Sequence, residues 1–304
     1  MGPPELASGR RLFTKREETL KAESPSPAGN LLFFFGVAFL FSWLVWLIGI
    51  LASNGRLALP LPNPALVLIG AHGPLVAALS LSYREGGWTA VKALLRAGFA
   101  VRIKPVWWAS ILLLPVLLCG LAVWANVARS DFQLDRTLLD QPWMIVPTFL
   151  LAFFLLGSFQ EEFGWRGYAL PRMLARWNPL IASLILGAVW GVWHLPLFLI
   201  SGASQSYMSF GVFFSMTLAL GVLFTWFYLR TGRNLFSALL LHTAINSSLS
   251  IFPPLEQRAG GNQMALTYLM LGYLLVALVV VIGDRSLWLR GPQTAAPEGG
   301  IEGR

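Results

Sequence analysis

A chain of 304 residues with 56% hydrophobic and 12% charged residues has too little polar surface for a soluble globular domain. Its mean hydropathy of +0.65 agrees. The formal net charge of +8 is spread between apolar runs, a pattern of membrane topology rather than of a nucleic-acid partner. The single cysteine, Cys119, lies inside an apolar run, which excludes an intrachain disulfide.

In chain order, residues 1–28 are polar, mixed in charge and rich in Pro and Ser, and are expected to lack a packed structure. They do not read as a signal peptide, because the apolar run that follows exceeds the usual h-region of about 7–15 residues. Apolar runs of about 18 residues or more read as membrane-spanning helices. Eight are expected, at about 31–52, 64–82, 106–127, 143–165, 179–200, 208–229, 234–252 and 264–283. The expected fold is therefore all-α: one polytopic membrane domain over 29–285, with a tail over 286–304. That tail ends Ile301-Glu302-Gly303-Arg304, which reads as an engineered protease-recognition sequence and is set aside.

Within the second span, Gly70-Ala71-His72-Gly73-Pro74 predicts a kink, with His72 bonding a carbonyl that the kink frees. Between spans two and three, Trp88, Val91, Leu94 and Leu95 alternate with Lys92 and Arg96, which predicts a short amphipathic helix at the interface. The third connection, 129–141, spreads Asp131, Asp135 and Asp140 along a polar segment, a poor arrangement for metal binding. No internal repeat of the transporter kind is evident. The termini and even-numbered connections hold seventeen Lys and Arg residues, against four (Arg56, Arg129, Arg136 and Arg258) in the odd ones. That asymmetry predicts both termini in the cytoplasm.

The chemistry concentrates in Gln160-Glu161-Glu162-Phe163-Gly164-Trp165-Arg166, reached after an uncharged run over 144–159. Ionisable groups at membrane depth are costly and by default mark a site facing protein or a watery cavity. Helical neighbours lie about 100° apart, so Glu161 and Glu162 cannot share a face. Arg166, four residues after Glu162, can pair with it, which leaves Glu161 the freer carboxylate. A buried ion-pair cluster joining helices would have the same composition.

Three further polar groups lie inside predicted spans. His194 is in Trp190-Gly191-Val192-Trp193-His194, while His242 and Asn246 share one face of the seventh span. At ~1.5 Å per residue from the cytoplasmic ends, Glu161 lies ~15 Å deep, His194 ~22 Å, His242 ~12 Å and Asn246 ~18 Å. The depths overlap, which favours a single site. Such a site suits peptide hydrolysis: a carboxylate as base, an imidazole holding the same water, and an imidazole and amide for the oxyanion.

Glu161-Glu162-x-x-x-Arg166, Trp190-x-x-x-His194 and His242-x-x-x-Asn246 together resemble the three motifs of the CPBP family. This is the Abi, or type II CAAX prenyl endopeptidase-like, group of intramembrane proteases. Trp190 stands where that family often has phenylalanine, an aromatic exchange expected to touch packing rather than chemistry. The resemblance implies that Glu161 and His194 activate water, Glu162 and Arg166 support Glu161, and His242 with Asn246 forms the oxyanion site. No cofactor is expected. Zinc or another divalent metal is the alternative, with Glu161, His194 and His242 as ligands, although no His-Glu-x-x-His pair is present. The implied partners are the bilayer and a protein or peptide substrate, prenylated or otherwise membrane-anchored, in a prokaryotic cytoplasmic membrane. Two rivals are a catalytically silent immunity or binding protein on the same fold and, less well supported, a transporter.

Overall fold

Long apolar helices with lipid-facing outer surfaces carry the architecture seen in the computed structural model, which describes residues 27–257 and 260–289. The polar residues 1–26, Arg258 and the tail from Arg290 through Ile301-Glu302-Gly303-Arg304 lie outside the described residues. In order, the helices are α1 (Pro27–Ser53), α2 (Asn63–Gly70), α3 (Gly73–Ala97), α4 (Pro105–Val127) and α5 (Thr137–Asp140). There follow α6 (Ile145–Phe154), α7 (Ser158–Glu162), a π-helical turn (Phe163–Ala169) and α8 (Leu170–Leu174). The chain closes with α9 (Pro179–Trp193), α10 (Phe210–Arg230), α11 (Leu235–Ile251), α12 (Met264–Gly283) and α13 (Ser286–Leu289). No strand occurs among the described residues.

The outer surface is that of an integral membrane protein. Leu40 and Leu44 of α1, Leu113, Leu117 and Leu121 of α4, and Leu275, Leu278 and Ile282 of α12 are all exposed. An apolar surface of that extent is foreign to a soluble monomer. Among the described residues, seven helical stretches are long and apolar enough to cross a bilayer: Asn30–Ser53, Asn63–Ala97, Pro105–Val127, Pro142–Leu174, Pro179–Leu199, Phe210–Arg230 and Met264–Gly283. The eighth expected span is α11, with only 17 residues. At ~1.5 Å per residue it is ~25 Å long, shorter than a hydrocarbon core of ~30 Å. It lies inside the bundle against α4, α6, α7 and α10, and none of its residues is exposed.

Small residues bring the central helices together. A Cβ on Gly187 of α9 would lie 2.7 Å from the Thr217 carbonyl oxygen, and one on Gly221 of α10 2.6 Å from that of Ser183. Only glycine permits this backbone approach, as in other membrane helix pairs. The second predicted span divides at Ala71 and His72, where His72 Nδ1 bonds the Leu68 carbonyl at 2.9 Å, the role expected for it. Further on, α3 breaks at Gly86 and Gly87, the latter with φ +61°, so residues 88–97 form a separate helical piece. Just before this break, Glu85 accepts from Asn30 (2.7 Å), Tyr168 (2.5 Å) and Arg172 (2.5 Å), tying α1, α3 and α8 at one end of the bundle. Cys119 is buried and its thiol meets the Phe252 carbonyl at 3.2 Å.

Candidate functional site

The continuous helix expected over 143–165 is broken. It stops at Phe154 and resumes at Ser158, with Gly157 at φ +104°, a conformation closed to most L side chains. A break at membrane depth leaves backbone groups needing partners. The Gln160 side chain supplies two of them, accepting from the Gly157 N–H (3.2 Å) and donating to the Phe154 carbonyl (2.6 Å). Asn246 Nδ2 donates to the third, the Leu156 carbonyl, at 2.5 Å. Beyond Glu162 the chain winds wider as a π-helix, a local feature that recurs at functional sites.

Glu161 and Glu162 point to different surroundings. Glu162 is fully buried, bound by Arg166 NH1 at 2.9 and 3.1 Å through its two oxygens, and by His242 Nδ1 at 2.7 Å. The Arg166 guanidinium lies 4.0 Å over the Phe224 ring and 5.0 Å over Trp190, while its Nε and NH2 find no hydrogen-bond partner. Aromatic faces therefore take the place of further acceptors around this charge. Glu161 instead lines a cavity of about 570 Å³, together with His194, His242 and Asn246. Glu162 and Arg166 lie behind that wall.

Hydrogen bonding determines how both imidazoles present themselves. His194 Nδ1 lies 2.8 Å from the Trp190 carbonyl, which can only accept, so Nδ1 carries a proton and Nε2 is the free nitrogen. His242 Nδ1 likewise donates to the Glu162 carboxylate, leaving Nε2 toward Gly157 and Glu161. A Cβ on Gly157 would fall 2.7 Å from Glu161 Oε1 and 3.3 Å from His242 Nε2. Both atoms thus converge on space that only a glycine leaves open.

Two residues carry more than the sequence assigned to them. The Trp190 indole N–H donates to Glu161 Oε2 at 2.5 Å, so this aromatic touches the cavity-lining carboxylate and is not packing alone. Its ring also packs edge-on to both His194 and His242, with centroids 5.6 and 5.8 Å away. Gly157 has no role assigned from the sequence, where its only signal is a glycine interrupting an apolar run. Among the described residues, no group of three or more His, Cys, Asp or Glu side chains is placed to hold a metal ion.

An integral membrane helical bundle with carboxylate, imidazole and amide groups on one internal cavity is the class these features define. Residues 142–248 match the family model described as type II CAAX prenyl endopeptidase Rce1-like. This segment, about a third of the chain, contains all three motifs. One relative is CAAX prenyl protease 2 of Methanococcus maripaludis, 31% identical over 123 residues, covering 38% of this chain. The aligned segment spans 44% of that relative's length.

Proposed function

We propose that this protein is an intramembrane endopeptidase that hydrolyses peptide bonds of membrane-associated protein or peptide substrates, without a metal. One observation carries the reading: Glu161, His194, His242 and Asn246, drawn from three separate spans, line a single cavity. A water donates one hydrogen to Glu161 and the other to His194 Nε2, which leaves an oxygen lone pair free to attack the scissile carbonyl. As the C–O bond forms, Glu161 takes the proton. The second N–H of Asn246 and the imidazole of His242, held by Glu162 through Nδ1, meet the oxyanion. When the C–N bond breaks, Glu161 returns its proton to the leaving amine. The family match supports the reaction class, and the name of the relative supports a lipid-modified or membrane-anchored substrate. The charge asymmetry supports both termini in the cytoplasm.

The reading is tested by comparing peptides from membranes of cells carrying the wild type or His194→Ala. Fragments that depend on the wild type are expected; identical profiles would count for the silent binding protein. Elemental analysis and chelator treatment of the purified protein belong beside it. Stoichiometric zinc whose removal abolishes cleavage and whose return restores it would recast Glu161, His194 and His242 as ligands.

Trp190 offers a finer check. A hydrogen bond to a charged group contributes about 1.5–3 kcal/mol, so its loss should cost about tenfold or more in rate. Trp190→Phe keeps the aromatic packing but removes the donor. We expect kcat to fall by that factor with KM and thermal stability near wild type. Unchanged kcat would show that the indole only fills space.

A further inference from the structure

We propose that the cavity opens to the extracytoplasmic side and takes an uncharged, apolar stretch of peptide presented there, such as an outward-facing segment of an exported or membrane-anchored protein. The word substrate rests on the protease reading; the direction of the mouth does not.

The lining supplies the first argument. At one end it includes Asn63 at the start of α2, Ser204 and Gln205 between α9 and α10, and Pro254 and Gln257 between α11 and α12. These belong to the first, fifth and seventh connections, which share one face of the membrane when the seven spans and the shorter α11 cross it in turn. No lining residue comes from the even connections over 98–104, 175–178 or 231–234. The opposite end is closed by Glu162, Phe163, Trp165 and Arg166, all buried with no measurable exposure. Beyond them Glu85 clamps Tyr168 and Arg172.

Charge then assigns the faces. The odd connections hold four basic residues, while the even connections, the helix ends flanking them and the termini hold sixteen besides the buried Arg166, with Arg304 set aside. By the positive-inside rule the mouth is outside. The lining itself contains one Asp, Glu, Lys or Arg, namely Glu161, and its mouth is polar but neutral. A charged side chain drawn into this space would leave water without gaining a counter-ion, at high cost. An extended, neutral segment meets no such penalty. At about 570 Å³ the space suits a short piece of chain rather than a folded domain.

Cysteine labelling tests the mouth without any need for activity. Cys119 is buried and gives an unreactive background. In intact cells a membrane-impermeant maleimide should label Ser204→Cys at the mouth and Leu249→Cys within the cavity, and should reach Ala175→Cys only after permeabilisation. The reverse pattern would overturn the proposal. A second arm adds short uncharged apolar peptides, and the same peptides with a central lysine, outside right-side-out and inside-out vesicles. Cleavage of the neutral set alone, in right-side-out vesicles and not with Glu161→Gln, is expected. Cleavage confined to inside-out vesicles, or indifferent to lysine, would refute the outward, neutral substrate while keeping the protease. No cleavage in either orientation would refute the peptide substrate and the protease reading together.

Discussion

Purified Glu161→Gln protein should melt like the wild type yet release no detectable product. The amide matches the carboxylate in size and retains an oxygen for the Trp190 indole N–H, which bonds Glu161 at 2.5 Å. It cannot accept a proton from water. General-base catalysis contributes about 10²–10⁴ in rate, and in the proposed mechanism the same group also returns the proton to the leaving amine. Both halves of the reaction therefore fail together, and residual cleavage should lie at least ~10²-fold below wild type. The measurement is turnover of a membrane-embedded peptide by protein of matched melting temperature. Wild-type turnover in this variant would remove Glu161 from the chemistry altogether.

The largest loss of stability is expected from Arg166→Ala. Arg166 and Glu162 are both fully buried and form an ion pair at 2.9 Å. Deleting the cation leaves a carboxylate with only His242 as partner, and removes the guanidinium packed 4.0 Å over Phe224. Breaking one side of a buried pair costs about 3–5 kcal/mol. We expect a lower yield of folded protein, a lower melting temperature and, because His242 loses its fixed acceptor geometry, lower activity. The double variant Glu162→Gln/Arg166→Met should recover much of the stability, since it removes both charges while its amide can still accept from His242. An Arg166→Ala protein that melts like the wild type would show that the pair contributes nothing.

Much of this arrangement was legible because membrane depth makes polar residues conspicuous. The i,i+4 spacing of Glu162 and Arg166 led directly to their pair, and the 100° step between Glu161 and Glu162 separated the cavity-facing carboxylate from the buried one. What escaped the sequence depends on backbone geometry that no periodicity records. The break over 155–157 rests on one glycine at φ +104° and on side chains that satisfy the carbonyls it frees. Asn246 shows the difficulty: its spacing placed it beside His242, but one of its two N–H groups is bound to the Leu156 carbonyl, ninety residues away. It thus holds the broken helix as well as lining the cavity. Trp190 was misread for a related reason. An aromatic in an apolar span looks like packing unless the position of its N–H is known.

The enclosure of α11 has a consequence for how the protein senses its bilayer. A helix some 5 Å short of the hydrocarbon thickness would, at the lipid perimeter, thin the membrane or tilt its neighbours. Thirteen of the seventeen residues of α11 are buried and the rest are only partly exposed, so its ends meet protein rather than acyl chains. Hydrophobic mismatch is accommodated by the outer ring of helices, whereas the segment carrying His242 and Asn246 is mechanically shielded from it. His242 and Asn246 thereby keep their register in thin and thick membranes alike.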